Sequence, residues 1–150
     1  MRINVALFGL GRIGMMHARN IKNHSKFRLK YIYDINIKKS FRASRDLKAI
    51  YINNPSLAFK DKSINVIFIS SSTSTHIPLI EKSVKHKKIV FCEKPLDLNI
   101  EKVIRCRKRI KKLNPKIQIG FNRRYDPGHF SLKKAIQKGS IGKLEKIIIT

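Results

Sequence analysis

The chain has no tryptophan, two cysteines, few glycines and prolines, and very little acid. Cys92 and Cys106 cannot build a disulfide framework, which makes a reducing compartment the default. Seven glycines and five prolines in 150 residues exclude a collagen-like repeat and Gly/Pro-rich disorder. Apolar runs such as Val66-Ile67-Phe68-Ile69 stop far short of the ~20 residues that span a bilayer. Near the N-terminus, Gly9-Leu10-Gly11-Arg12 interrupts the stretch from Ile3 to Phe8 before a signal-peptide core forms. No membrane partner is expected, and a soluble cytoplasmic protein is the starting expectation. With 42% hydrophobic residues, the chain has the material for one domain with a real core.

Nine Asp and Glu against 34 Lys and Arg give a formal net charge of +25. Such a surface attracts phosphate, as nucleic-acid binders do. The cations, however, recur along helical stretches, as at Lys82, Lys85 and Lys87, or at Arg105, Lys108 and Lys112. They have no aromatic interleaving and no recognition motif. Lys, Ile and Asn all have A/T-rich codons, so a biased genome yields the same composition without selection for binding. No specific nucleic-acid partner is expected, only loose attraction to polyanions.

Apolar runs and amphipathic stretches alternate. Strands are expected at 3–8, 27–33, 65–69, 88–92 and 117–119, and helices at 12–23, 37–47, 77–86, 100–113 and near 129–138. Pro78 is placed in the first turn of its helix, and 49–60 is ambiguous around the Asn53-Asn54-Pro55 turn. Strands separated by helices of this length pair in parallel through right-handed crossovers. The fold class is therefore α/β, a Rossmann-type doubly wound parallel sheet. Leu144 to Thr150 reads as a last strand that begins a truncated second α+β domain.

Three constellations stand where strands end. Gly9-Leu10-Gly11-Arg12-Ile13-Gly14 is a G-x-G-x-x-G between a strand and a helix. Its first glycine makes the tight turn, its second admits pyrophosphate to the backbone, and its third lets helix and strand pack closely. Asp34 follows about twenty residues on, at the end of the second strand, where a carboxylate accepts hydrogen bonds from ribose hydroxyls. Ser70 to His76 is a hydroxyl-rich loop, readable either as a ligand loop or as a helix cap at Ser74 or Thr75. Glu93-Lys94-Pro95 closes the Val90-Phe91-Cys92 strand, where proline fixes the turn and a lysine can exchange a proton with a substrate hydroxyl.

With Gly120-Phe121-Asn122-Arg123-Arg124-Tyr125-Asp126-Pro127 and Gly139-Ser140-Ile141-Gly142-Lys143 added, the chain resembles the N-terminal part of the Gfo/Idh/MocA oxidoreductases, most closely their inositol 2-dehydrogenases. The resemblance covers essentially the whole chain and less than half of a family member. It implies an NAD-binding domain over 1–120 and the beginning of a C-terminal substrate and oligomerisation domain over 121–150. It implies NAD held by Gly9, Gly11, Arg12, Ile13 and Gly14 at the pyrophosphate and by Asp34 at the ribose. Ser71, Ser72, Thr73 and His76 would line the nicotinamide side, with Glu93 and Arg123 against the cofactor. Lys94 would be the catalytic lysine, aimed by a cis bond to Pro95. A polyol or sugar would be the substrate, in a homo-oligomeric full-length enzyme, and no metal ligand set is assigned. The family's Asp-x-x-x-His pair would lie beyond residue 150. His17, His24, His86 and His129 read as helix or loop residues without catalytic partners. A truncated or decayed homologue, keeping at most dinucleotide binding and no catalysis, stands as the alternative.

Overall fold

Short Ile, Val and Phe runs bracketed by turn residues become strands, and the stretches between them become helices that cover both faces. The computed structural model describes residues 2–148. The order is β1 (Ile3–Phe8), α1 (Arg12–Asn23), β2 (Phe27–Tyr33), α2 (Ile37–Leu47), β3 (Ile50–Tyr51), α3 (Ser56–Lys60), β4 (Val66–Ile69), α4 (Thr73–Lys85), β5 (Ile89–Cys92), α5 (Ile100–Ile110), β6 (Ile117–Ile119) and α6 (Pro127–Gln137). A 3₁₀ turn, Lys111–Leu113, continues α5, so the helix expected to reach Leu113 tightens in its last turn. The chain divides into two compact units, Met1–Gly120 and Phe121–Thr150.

In the first unit, six parallel strands lie in the order β3-β2-β1-β4-β5-β6. The chain crosses from β3 back over the sheet to β4, so β1 and β4 are adjacent and their ends open a crevice, the usual ligand position in such sheets. Alternate residues of β1 face opposite cores. Val5 and Leu7 pack with Ala18 and Ile21 of α1 and Ala43 and Leu47 of α2. Ala6 and Phe8 pack with Phe59 of α3, Ile77 and Ile80 of α4, and Cys106 and Ile110 of α5. Burial pushes the Cys92 thiol up to about 12, helped by the Glu93 charge, and the Cys106 thiol up to about 11. Both are free, buried cysteines.

Two further elements of the first unit depart from expectation. α4 begins at Thr73 rather than Ile77, which puts Pro78 inside the helix instead of in its first turn. Ser72, not Ser74 or Thr75, is the residue before the helix, and its side chain makes no capping bond. The hydroxyl-rich stretch is helical because it bonds to itself: Thr75 donates to the Ser72 carbonyl from its amide at 2.9 Å and its hydroxyl at 2.7 Å. β3 is two residues long and exists only through pairing with Tyr31 and Ile32, so no local signal announces it.

The few acids are mostly committed. Asp61 accepts from Lys30 Nζ at 2.6 Å, Tyr31 Oη at 2.9 Å and the Ser63 amide at 2.8 Å. The Lys30 bond is the largest cause holding its carboxyl well below the usual range. Glu81 of α4 pairs with Arg109 of α5, Asp97 accepts from the Asn99 amide, and Glu101 lies 3.6 Å from Arg105 one turn on.

In the second unit, Asp126 caps α6 by accepting from the His129 amide at 3.0 Å, with Pro127 in the first turn. Its Oδ2 lies 3.6 Å from Arg123 Nη1. The strand expected over 144–150 is absent from 144–148, while Ile149 and Thr150 lie outside the described residues. Among the described residues, no helix is long and apolar enough to cross a membrane.

Candidate dinucleotide site

The turn after β1 is built on backbone contacts that exclude a side chain. Gly9 has φ +90°, and a Cβ there would lie 2.5 Å from Ser70 and Ser71 backbone atoms. Gly14, on the buried side of α1, approaches so closely that a Cβ would sit 1.9 Å from the Gly9 carbonyl oxygen. Ser70 ties the arrangement down, its hydroxyl donating to the Gly9 carbonyl at 2.9 Å. Gly11 is different. It precedes α1 at φ −59°, and a Cβ on it would meet nothing within 4 Å. Open space therefore faces the first amides of α1, where orphan N–H groups and the helix dipole favour an anion. Arg12 and Ile13 are the first exposed residues of that helix.

Asp34 directly follows β2 and reaches back to this turn. Its Oδ2 accepts from the Leu10 amide at 2.6 Å and its Oδ1 from the Asn36 amide at 2.9 Å. A carboxylate has about four lone-pair sites, so two acceptor positions remain for a diol. Gly9, Gly11, Asp34, Ser71 and Ser72 line one cleft of about 470 Å³. Ile35, Lys39, Pro55 and Thr75 line it as well. Ile35 adjoins Asp34 in the chain and Thr75 belongs to the hydroxyl-rich loop, whereas Pro55, read in the sequence only as part of a turn, reaches the cleft through tertiary packing. Ile35, 87% exposed beside Asp34, supplies an apolar face to it.

The next strand ends carry the remaining candidates. Glu93 directly follows β5, and its amide donates to the Ile69 carbonyl of β4 at 2.9 Å. Lys94 is exposed, and the Lys94–Pro95 peptide is cis. Glu93 Oε1 lies 2.7 Å from His17 Nε2 of α1. A Cβ on Gly120 would lie 3.1 Å from that same oxygen, so glycine leaves room for the carboxylate. His17, which the sequence offered only as a helix residue, is thus a partner of the Glu93-Lys94-Pro95 turn. Seventy-six positions separate the pair, and only the fold brings them together.

His76 takes a different place from the one expected. Its ring is 2% exposed, with Nδ1 2.8 Å from the Pro95 carbonyl and Nε2 3.0 Å from the Ser71 carbonyl. It supports the loop from beneath instead of lining the cleft, because both ring nitrogens are already engaged. Thr73 opens α4 and is half-buried. Arg123 belongs to the second unit, in the short 3₁₀ segment Asn122–Tyr125.

A glycine turn opening a helix at the crevice between β1 and β4, with an acid at the end of β2, defines a dinucleotide-binding Rossmann protein. The model of the Gfo/Idh/MocA family, described as an oxidoreductase family with an NAD-binding Rossmann fold, matches residues 3–121. The chain belongs to that family. It is 34% identical over 154 residues to an inositol 2-dehydrogenase of Rhizobium meliloti, covering 100% of this chain and 45% of the relative. It is 38% identical over 150 residues to a myo-inositol 2-dehydrogenase of Thermotoga maritima, covering 99% and 45%. Scyllo-inositol dehydrogenase of Lactobacillus casei, solved with NAD(H) and scyllo-inositol bound, superposes with a TM-score of 0.87 at 28% identity, over 95% of this chain and 43% of that one. The chain thus spans about 45% of the length of these curated relatives.

Proposed function

We propose that the chain is the NAD-binding part of a dehydrogenase that oxidises a secondary alcohol of a cyclic polyol, with myo-inositol as the leading substrate. The carrying observation is the open face at Gly11 above the α1 amides, flanked by Asp34 on one side and the Glu93-Lys94-Pro95 turn on the other. In a parallel sheet of this order, the adenosine half of a dinucleotide lies towards β2 and its far end towards β4 and β5. The inositol dehydrogenases among its relatives support the polyol. On this reading residues 1–120 hold the cofactor and 121–150 begin the substrate and oligomerisation domain, as part of a homo-oligomer in the cytoplasm.

Backbone amides at Gly11, Arg12 and Ile13 hold the pyrophosphate, and the free positions of the Asp34 carboxylate accept from the adenosine ribose. Ser71 and Ser72 bound the cleft on the β4 side. When bound, NAD supplies the hydride acceptor. The Lys94 ammonium donates a hydrogen bond to the reacting hydroxyl and stabilises the oxygen as its proton passes to a base, which the family resemblance places outside residues 1–150. Arg123 is proposed beside the nicotinamide on the strength of the motif alone. Calorimetric titration with NAD, followed by NADH absorbance on adding myo-inositol, scyllo-inositol or glucose, tests the reading. Saturable NAD binding with inositol-dependent reduction supports it. NAD binding without reduction of NAD by any of the three leaves dinucleotide binding alone, and no NAD binding refutes the site.

A further inference from the structure

The Glu93-Lys94-Pro95 turn is gripped at both ends by histidines from other elements. At one end His17 holds the Glu93 carboxylate at 2.7 Å. Its ring packs against Phe68 and Phe91, with centroids 4.6 and 5.8 Å away, so it has little freedom to swing. At the other end His76 faces the Pro95 carbonyl at 2.8 Å and the Ser71 carbonyl at 3.0 Å. A neutral imidazole donates to one of two carbonyls and an imidazolium to both. Donation from Nδ1 to the Pro95 carbonyl, by the Nδ1–H tautomer or the imidazolium, ties α4 to the turn after β5.

We propose that His17 and His76 are positioning residues, which fix the Lys94 turn relative to the phosphate turn and so set the nicotinamide end of the site. The inference rests on the dinucleotide reading above. His17 belongs to α1, the helix that opens at Gly11, so the Glu93 bond runs from the pyrophosphate end of the site to the lysine. His76 does the same from the Ser71 side. Lys94 is exposed and its long side chain has many rotamers open to it, so its placement depends on the backbone that bears it. A role in stability alone would weaken every ligand together. A positioning role weakens only ligands that reach the Lys94 turn.

The test compares NAD with ADP-ribose, which keeps the adenosine and both phosphates but lacks nicotinamide. Calorimetry and thermal unfolding are run on the 150-residue chain, wild type and variants. His17→Phe and His76→Phe are expected to bind ADP-ribose as wild type does and NAD about tenfold more weakly, the effect of losing one hydrogen bond to a charged or buried group. His17→Gln, whose amide still donates to Glu93, restores most of the NAD affinity. Equal weakening of both ligands, or weakening of neither, overturns the proposal. Should a Phe variant not fold, side-chain ¹⁵N spectra of the wild type decide: the His17 and His76 ring signals must shift with NAD and stay still with ADP-ribose, and equal responses overturn it. A wild type that binds neither ligand refutes the dinucleotide reading and this proposal with it, whereas wild-type binding without selective loss refutes this proposal alone.

Discussion

Alanine at Gly14 and alanine at Gly11 should fail in opposite ways. At Gly14 the new Cβ would lie 1.9 Å from the Gly9 carbonyl oxygen, so helix and turn must separate by more than about 1 Å to reach ordinary contact. Both sides are backbone, with no flexible side chain to yield. The cost belongs at the upper end of the usual overpacking range, about 3 kcal/mol. For a domain of this size that lowers Tm by about 9 °C, and NAD affinity falls with it because the phosphate turn moves. At Gly11 the backbone is at φ −59°, which alanine adopts without strain, and its Cβ meets nothing within 4 Å. Stability should change by less than about 1 kcal/mol. The methyl group nevertheless occupies the space above the α1 amides and removes one or two charge-assisted N–H···O bonds of about 1.5–3 kcal/mol each. NAD binding by Gly11→Ala should therefore fall at least about tenfold at unchanged Tm. Thermal unfolding and calorimetry on the two variants read both effects. Wild-type NAD affinity in Gly11→Ala would show that the phosphates lie elsewhere. An unshifted Tm in Gly14→Ala would refute the close contact.

NAD should bind at least about tenfold more tightly than NADP, because Asp34 repels a 2′-phosphate. Lys39 lines the same cleft, so Lys39→Ala should widen the gap in direct titration. Lys94→Ala should leave Tm within about 1 °C, since the side chain is exposed, and, on the proposed function and in a full-length context, should lower turnover by about a hundredfold. The folded pKa of Asp61 is depressed, chiefly by the Lys30 bond, so its contribution to stability is fully present above about pH 5 and shrinks as pH falls below about 4. Urea unfolding of Asp61→Asn should therefore show a deficit at neutral pH that narrows in acid. With thiols pushed up to about 12 and about 11, Cys92 and Cys106 should resist a disulfide reagent at pH 8 until urea unfolds the chain.

β1, α1, β2, α2 and β6 were legible in the sequence to the residue, because each pairs an apolar run with a local stop signal: Gly9, Asn36 or Gly120. The glycine turn and Asp34 were legible for the same reason, since their chemistry is carried by spacing along the chain. β3 was not, because two residues gain a strand only from their neighbour. The start of α4 was not, because Ser and Thr favour loops until their hydroxyls fold back on the helix. Sequence shows the residues of the Lys94 turn but not what holds it, because both histidine bonds depend on packing between distant segments.

Seven of the nine acidic side chains hold a hydrogen bond or an ion pair: Asp34, Asp61, Glu81, Glu93, Asp97, Glu101 and Asp126. Among the described residues, Lys30, Arg105, Arg109 and Arg123 pair with an acid, a small share of the 34 Lys and Arg. Drift in such a chain is lopsided. Exchanging a surface asparagine or glutamine for lysine on an outer helix face breaks nothing, whereas losing one of the seven acids removes a cap, an ion pair or part of the site.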